Sequence, residues 1–401
     1  MSRDLFRLAT SSTAGRIALV LGLVVVAGGP APQRPTPPQP PSSAAGAASS
    51  RPTRVEAGAG RRVLVRSNST SPVVGKVHCE IDDSMWVMLP DGALDEFRTR
   101  DVTPTDRPFV PFTKEELAER LASGRFKDFK TRISKGSHFV FVYNSSDTFF
   151  AGTSRILETM YPGLFAICKR QGLNVHEPEV PLVVIMFRTR DEFNAYQRMP
   201  DGVVAYYDGI SNQVLMYEQS RLSEVMPEIA VKQAISTVAH EGVHQVLQNI
   251  GVQQRLSRWP MWLSEGLAEY FAPTELGKAV RWKGVGMVND MRMKELELYI
   301  RATSNRIRNG DTVRATVKAN NLTSTGYASA WSLTHYLGQR RQKDFYEYVK
   351  EVSELGPLER YTDEGSEALF KRHFGDDYAE LETSLAKHLL GLPYTDPFKR
   401  S

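Results

Sequence analysis

The pattern of apolar and polar positions changes its period at about residue 220. Before that point, short runs of β-branched and aromatic residues alternate with amphipathic stretches, whereas every periodic stretch after it has helical spacing. The predicted strands are 138–143, 182–187 and 213–217, and the predicted helices are 115–122, 149–170, 227–250, 344–354, 365–374 and 378–390. A small mixed sheet followed by a helical subdomain is an α+β fold.

The first 112 residues predict three segments that precede this main domain, which we place at 113–395. Residues 1–29 have the layout of an export signal, with arginines before a short apolar run and small residues after it. Residues 30–60, rich in Pro, Ala and Ser, predict a linker, and residues 61–112 predict a small β module. The protein is therefore expected in the periplasm, the cell envelope or the medium. Membrane contact is expected only if the signal remains as an uncleaved anchor.

Composition narrows the class of protein further. Apolar residues make up 41% and charged residues 24% of the 401 residues, which is ordinary for a soluble domain. Six of the 50 basic residues but only one of the 46 acidic residues fall within 1–54, so the remainder is close to neutral and nucleic acid is an unexpected partner. Cys79 and Cys168 lack the spacing of a thiolate metal site; buried free thiols are favoured over one disulfide.

Candidate metal ligands occur inside the predicted helix 227–250. His240 and His244 are four residues apart, so both imidazoles can reach one ion from the same helix face, with Glu241 beside the first of them. The alternative is two partly exposed histidines next to a surface glutamate. A purely structural site has no need of Glu241, which suits a general base acting on water at the metal.

A second helix, predicted to start near Pro260, supplies two acids. Glu265 and Glu269 are one turn apart and face the same way, so they would repel each other at a helix contact unless a positive group lay between them. Gly266 and Ala268 are small and are expected to let this helix approach the histidine helix.

Together, His240, His244 and Glu265 make a three-ligand set that leaves one tetrahedral position open to water. Catalytic zinc sites have this arrangement, whereas structural sites are usually closed by four protein ligands. A single zinc ion is preferred to iron, because the two-histidine, one-carboxylate iron site seldom comes from this motif on one helix.

The runs HEGVHQ and WLSEGLAEYF resemble the gluzincin metallopeptidases, which include thermolysin and aminopeptidase N. They more closely resemble a bacterial peptidase-MA-like family that carries the second run, and the likeness extends over about 138–388. It implies zinc ligation by His240, His244 and Glu265, with Glu241 as general base.

The resemblance also implies residues that support the ligands. Glu269 would orient His240, although the thermolysin relatives usually have an aspartate there, and Ser264 would support His244. Related aminopeptidases place an oxyanion-binding tyrosine on a later helix, for which Tyr327 is the candidate.

Other roles for the residues of this later helix stay open. Tyr327 could equally be a core tyrosine near the helix start. His335 and Tyr336 are alternative donors, but their apolar mid-helix surroundings favour packing roles.

In gluzincins the strand before the histidine helix binds an extended substrate by main-chain pairing. Here that strand is expected to be an edge strand formed by Gln213, Val214, Leu215, Met216 and Tyr217. No run resembles the aminopeptidase signature, so cleavage of internal peptide bonds is favoured over removal of N-terminal residues.

These patterns predict an exported zinc metallopeptidase whose partner is a peptide or protein substrate. The alternative, from a different class, is a zinc-containing but inactive envelope-associated binding protein. The intact Glu241 favours the enzyme.

Overall fold

The computed structural model describes residues 16–20, 55–58, 60–66, 71–200, 202–219, 227–276, 280–302 and 309–397. The strands are β1 Arg16–Val20, β2 Val55–Ala57, β3 Arg62–Val65, β4 Val73–Ile81, β5 Ser84–Met88, β6 Leu94–Arg98, β7 Thr103–Pro104, β8 Lys130–Ile133, β9 Phe139–Tyr143, β10 Leu182–Thr189, β11 Val203–Asp208, β12 Gln213–Gln219, β13 Thr274–Leu276 and β14 Val280–Trp282. The α-helices are α1 Lys114–Ser123, α2 Asp147–Arg170, α3 Arg190–Tyr196, α4 Pro227–Asn249, α5 Met261–Phe271, α6 Asp290–Ala302, α7 Asp311–Val317, α8 Ser324–Arg340, α9 Gln342–Ser353, α10 Asp363–Phe374 and α11 Tyr378–Leu390.

The predicted α+β class is confirmed, with one departure after residue 220. The segment after α5 forms the antiparallel hairpin β13–β14, where only helices were expected. Its strands are three residues long, too short for a period-two pattern to show in the sequence. Trp282 of β14 anchors the hairpin, since its Nε1–H donates to the Phe271 carbonyl at 2.7 Å.

A mixed sheet with the order β1-β11-β12-β10-β9-β8 forms the centre of the main domain. Strands β9, β10 and β12 are parallel, and alternate side chains along them point to opposite faces. Phe141 and Val184 belong to the apolar cluster that includes α2 and α4, whereas Val142 and Ile185 pack with α1 and α3. Burial of both faces explains why these strands are almost wholly apolar.

The prediction that 213–217 is an edge strand is wrong. Strand β12 pairs in parallel with β10 on one side and antiparallel with β11 on the other. The sequence prediction missed β11, which lies between β12 and the edge strand β1. A substrate therefore cannot pair along Gln213, Val214, Leu215 and Met216, whose main chain is paired on both sides, and Tyr217 is already paired with Phe187 of β10.

A second sheet, with the order β6-β5-β4-β3-β7, precedes the main domain. Strand β2 also pairs with β4, from Val55 opposite Ile81 to Ala57 opposite Cys79. The sheet thus begins inside the segment predicted as linker. Strand β2 is only three residues long and none of them is buried, so its strand conformation depends on main-chain pairing to β4.

Arg255 joins this second sheet to the main domain. Its buried guanidinium donates to the carbonyls of Gly209, Gly92 and Ile210 at 2.7, 2.7 and 2.8 Å. The Leu94 N–H donates to the same Ile210 carbonyl at 2.7 Å. Because the three carbonyls come from two parts of the chain, one side chain fixes how those parts meet.

The predicted export signal and linker fall largely outside the described residues. Residues 16–20 form β1, whose Arg16 lies opposite Asp208 in an antiparallel pair with β11. Among the helices that the structure describes, none is long and apolar enough to cross a membrane. Cys79 and Cys168 are both buried and unbonded, as favoured from the sequence.

Candidate metal centre

Helix α4 is fixed against the sheet by one small and one polar residue. A Cβ on Gly242 would lie 2.2 Å from the Leu157 side chain, so only glycine allows α2 this close. The Gln245 Nε2 donates to the carbonyls of Val183 and Asn212 at 3.0 Å each. These contacts set the rotation of α4 and with it the direction of His240 and His244.

Helix α5 is buried from Trp262 to Phe271 and carries the two acids. Its small residue Gly266 faces α8, because a Cβ there would lie 2.2 Å from Thr334 Oγ1 and 2.8 Å from the Ala330 carbonyl oxygen. The expectation that Gly266 serves the approach to the histidine helix is therefore wrong. The close approach is made to α8 instead, and it places Tyr327 and Glu265 in one region of the core.

The predicted ligands lie together. His240 Nε2 is 3.2 Å from His244 Nε2 and 3.1 Å from Glu265 Oε2, and His244 Nε2 is 3.6 Å from that oxygen. Zinc–ligand bonds of about 2.0–2.1 Å in a tetrahedron put neighbouring ligand atoms about 3.3–3.4 Å apart. The three side chains are at most 1% exposed. This buried group can bind a metal ion.

The electrostatics of the group also favour a cation. Burial opposes protonation of His240, but the carboxylates of Glu269 and Glu265 outweigh it and raise its pKa to about 10. Burial likewise disfavours the charged form of Glu265, yet His244 and His240 hold its pKa near 2. The cluster thus attracts one positive charge, and a metal ion binds such a site by displacing the proton.

Glu269 lies where the resemblance places it, beside the first histidine. Its Oε1 is 3.0 Å from His240 Nδ1 and 2.7 Å from an Arg292 guanidinium nitrogen, and its Oε2 accepts from Asn289 Nδ2 at 2.9 Å. Burial raises the pKa of Glu269, but Arg292 and His240 outweigh this and lower it to about 2. A carboxylate held in this way fixes the ring orientation of a metal-ligating histidine.

Sequence reasoning missed Arg292 and its partner Asn289. Arg292 is 3% exposed on α6 and also donates to Glu295 at 2.7 Å. Arg292 and Leu296 of α6, and Val288 just before the helix, are four residues apart and all buried, so the arginine continues an apolar stripe. A charged residue on such a stripe needs a buried partner, so an arginine at this position is the sequence signal that could have identified Arg292.

Glu241 is completely buried, and its two oxygens differ. Its Oε2 accepts from the Tyr207 N–H at 2.8 Å, whereas its Oε1 has no hydrogen-bond partner among the described residues. Burial raises the pKa of Glu241 to about 8. Tyr207 belongs to β11, the strand that sequence reasoning missed. The run of Val and Tyr before Asp208 and Gly209 could have revealed it as half of a hairpin with β12.

Tyr327 lies in the first helical turns of α8, beside the ligands. Its ring centroid is 6.2 Å from that of His240, and the Arg292 guanidinium is 5.4 Å from its ring centroid. Burial, followed by the charges of Glu265 and Glu241, raises the pKa of Tyr327 well above its ordinary value. The hydroxyl therefore stays protonated and can donate a hydrogen bond.

Ser264 and His335, also considered from the sequence, make no hydrogen bond to the candidate ligands in the described structure. Ser264 Oγ and His244 Nδ1 are buried without hydrogen-bond partners in the described part of the chain, so the implied bond between them is not made. His335 contacts His388 Nε2 at 2.9 Å and the Gly286 carbonyl at 3.0 Å. His335 is thus satisfied within the helical core.

The fold and the centre define an α+β protein with a buried two-histidine, one-glutamate group suited to a metal ion. A family described as a protein of unknown function, DUF1570, matches residues 234–359. That range contains the three candidate ligands together with Glu241 and Tyr327. No curated protein matches the chain.

Proposed function

We propose that the protein is a zinc-dependent peptidase of gluzincin type that hydrolyses internal peptide bonds. His240, His244 and Glu265 would hold the zinc ion, and Glu241 would act as general base. The observation that carries this proposal is the Glu241 carboxylate, with one oxygen fixed by a main-chain N–H and the other without a partner among the residues that the structure describes. An unpaired buried oxygen is costly to keep, which supports a catalytic over a structural role.

Bound zinc would polarise a water molecule and the carbonyl of the scissile bond. Glu241 would accept the proton of that water through Oε1 and pass it on to the departing amine. The Tyr327 hydroxyl would donate a hydrogen bond to the carbonyl oxygen, which becomes an oxyanion when water adds to the carbonyl carbon. Glu269, held by Arg292 and Asn289, would keep His240 oriented throughout the reaction.

The preference for zinc follows from the donor set. Two imidazole nitrogens and one carboxylate oxygen suit this ion, and three protein ligands leave a position for water. A hard ion such as magnesium would prefer oxygen ligands throughout.

Strand β11 is a better place for an extended substrate than β12. The Tyr207 N–H of β11 donates to Glu241, so this strand borders the base. Its outer side pairs with residues 16–20, which belong to the predicted export signal. Cleavage of that signal would remove β1 and leave the outer edge of β11 for main-chain pairing with a peptide.

The test is a diverse peptide pool incubated with purified protein, with and without a chelator. We expect chelator-sensitive cleavage at internal bonds and one zinc ion per chain by elemental analysis. His240→Ala and Glu265→Ala should lose both the metal and the cleavage. A zinc-loaded protein that cuts nothing in a broad pool would instead favour the inactive binding protein.

A further inference from the structure

A cavity of about 600 Å³ opens next to the metal centre. The ligand Glu265 and its neighbour Ser264 form part of its wall, and the first turn of α10 lies across from them. Gln248, one helical turn beyond His244, also lines it. A molecule bound at the metal would therefore extend into this space.

Two arginines in the cavity wall are placed side by side by main-chain pairing. The Leu358 N–H donates to the Leu256 carbonyl and the Arg258 N–H donates to the Glu359 carbonyl, each at 2.9 Å. This makes a parallel bridge in which Arg258 lies opposite Arg360. Residues directly opposite in such a pair have side chains on the same side, and like charges there repel.

The main chain adopts unfavourable angles where it makes this pairing. Leu256 and Leu358 have φ angles of 66° and 63°, a left-handed conformation that non-glycine residues rarely adopt. Strain of this kind persists where the surrounding structure imposes it, often at ligand sites. The surrounding structure therefore holds Arg258 and Arg360 side by side despite the backbone strain at Leu256 and Leu358.

The two guanidinium groups have no acidic partner among the described residues. Neither forms a salt bridge within the described part of the chain, although the exposed acids Asp363 and Glu364 line the same cavity. Burial and the charge of Arg360 lower the pKa of Arg258. Lys318, a third basic residue in the wall, is different because Glu367 pairs with it at 2.6 Å.

Several buried polar atoms of the wall also lack partners in the described structure. The donors are Arg258 Nε, Trp259 Nε1 and Ser264 Oγ, and the acceptor is Gln248 Oε1. Buried polar groups are normally satisfied, so a cluster of unpaired ones around one cavity marks a place for a polar ligand. Most of these groups donate, and two of the wall residues carry unpaired positive charge.

We propose that this cavity binds a carboxylate of the substrate through Arg258 and Arg360. The inference rests on the proposed peptidase function and names the substrate class: peptides with a carboxylate a short distance from the scissile bond. Planar guanidinium groups match a carboxylate geometrically and bind it by charge-assisted hydrogen bonds. The carboxylate can come from a Glu or Asp side chain or from the C-terminus of the peptide.

The experiment uses four versions of one peptide that the protein cleaves: neutral with a C-terminal amide, the same with a free C-terminus, and each with one Glu beyond the cleaved bond. Wild type, Arg258→Gln, Arg360→Gln and Lys318→Gln are compared on all four. Lys318→Gln is the matched control, since it removes one positive charge from the same wall. Binding of the same peptides to zinc-loaded Glu241→Gln protein is measured by fluorescence anisotropy, with and without each arginine substitution.

We expect the carboxylate-bearing peptides to be cleaved at least roughly 10-fold more efficiently by wild type, the effect of one charge-assisted hydrogen bond. Each arginine substitution should bring the ratio of acidic-peptide to neutral-peptide cleavage close to one, whereas Lys318→Gln should retain the wild-type ratio. Preference for the free C-terminus identifies the terminal carboxylate, and preference for Glu in the amidated peptide identifies the side chain.

Equal cleavage of all four peptides, or equal losses in Lys318→Gln and the arginine variants, would overturn the proposal. If wild type cleaves no peptide of the pool, the four versions are made from one uncleaved pool peptide, and the anisotropy data decide the matter separately. Arginine-dependent binding of the acidic peptides would then retain the carboxylate site while the peptidase function failed. Absence of such binding would refute the site as well.

Discussion

Replacing Arg292 with Met tests whether the buried ion pair behind His240 supports the metal centre. Met keeps much of the aliphatic volume but removes the groups that contact Glu269 and Glu295, each at 2.7 Å. Among the described residues, Glu269 would then keep Asn289 and His240 as partners around a 2% exposed carboxylate. Breaking a buried pair by removing one partner costs about 3–5 kcal/mol of unfolding free energy.

The same change should act on the metal. A less firmly held Glu269 orients His240 less well, so we expect metal affinity to fall roughly 10–100-fold. Chelator competition measures that affinity, and urea denaturation of the metal-free protein measures the stability. Arg292→Lys, which keeps the charge but loses the planar fork, should fall between Met and wild type.

Lys294→Met is the control, because Lys294 lies on the same helix and its partners Glu297 and Asp396 are nearer the surface. Surface pairs contribute little, so this variant should change neither stability nor metal affinity appreciably. If Arg292→Met behaved like Lys294→Met in both assays, the account of the ion pair would be refuted.

Three further outcomes are expected. Glu269→Ala should weaken metal affinity roughly 10–100-fold in the same chelator competition without abolishing folding, and unchanged affinity would reduce Glu269 to a structural acid. Arg255→Met should lower the urea unfolding free energy by about 3 kcal/mol, since the buried Gly209 and Gly92 carbonyls lose their hydrogen-bond donor; a loss near zero would refute its joining role. Burial and His388 lower the pKa of His335 from 6.5 to about 4, so the unfolded chain takes up this proton first. Stability should therefore fall as pH drops from 6.5 towards 4, and His335→Gln should make that fall shallower.

Local chemistry explains why the grouping of the three candidate ligands could be predicted from the sequence. His240 and His244 share one helix, and the i, i+4 spacing alone puts their rings together. Glu265 lies on the next helix, where Glu269 one turn later constrains the side that faces inwards. These relations depend only on helical periodicity, which a single sequence shows.

Partners that depend on the packing of distant elements could not be predicted in this way. Arg292 reaches Glu269 from α6, and the Tyr207 N–H reaches Glu241 from β11. The edge position assigned to β12 failed for the same reason, because strand order is set by the overall topology. Gly266 is an example within one helix. Its small size is evident from the sequence, but the sequence does not show which helix packs against it.

The most direct measurement pairs zinc content with peptide cleavage in Glu241→Gln. The amide can still accept the Tyr207 N–H through its oxygen, but it cannot take a proton from water. We predict wild-type zinc content and thermal stability, with initial rates lower by at least roughly 10²-fold, the lower end of a positioned base's contribution. Glu265→Gln, in contrast, should lose zinc and activity together. Wild-type cleavage rates in a zinc-loaded Glu241→Gln protein would contradict the proposed role of Glu241.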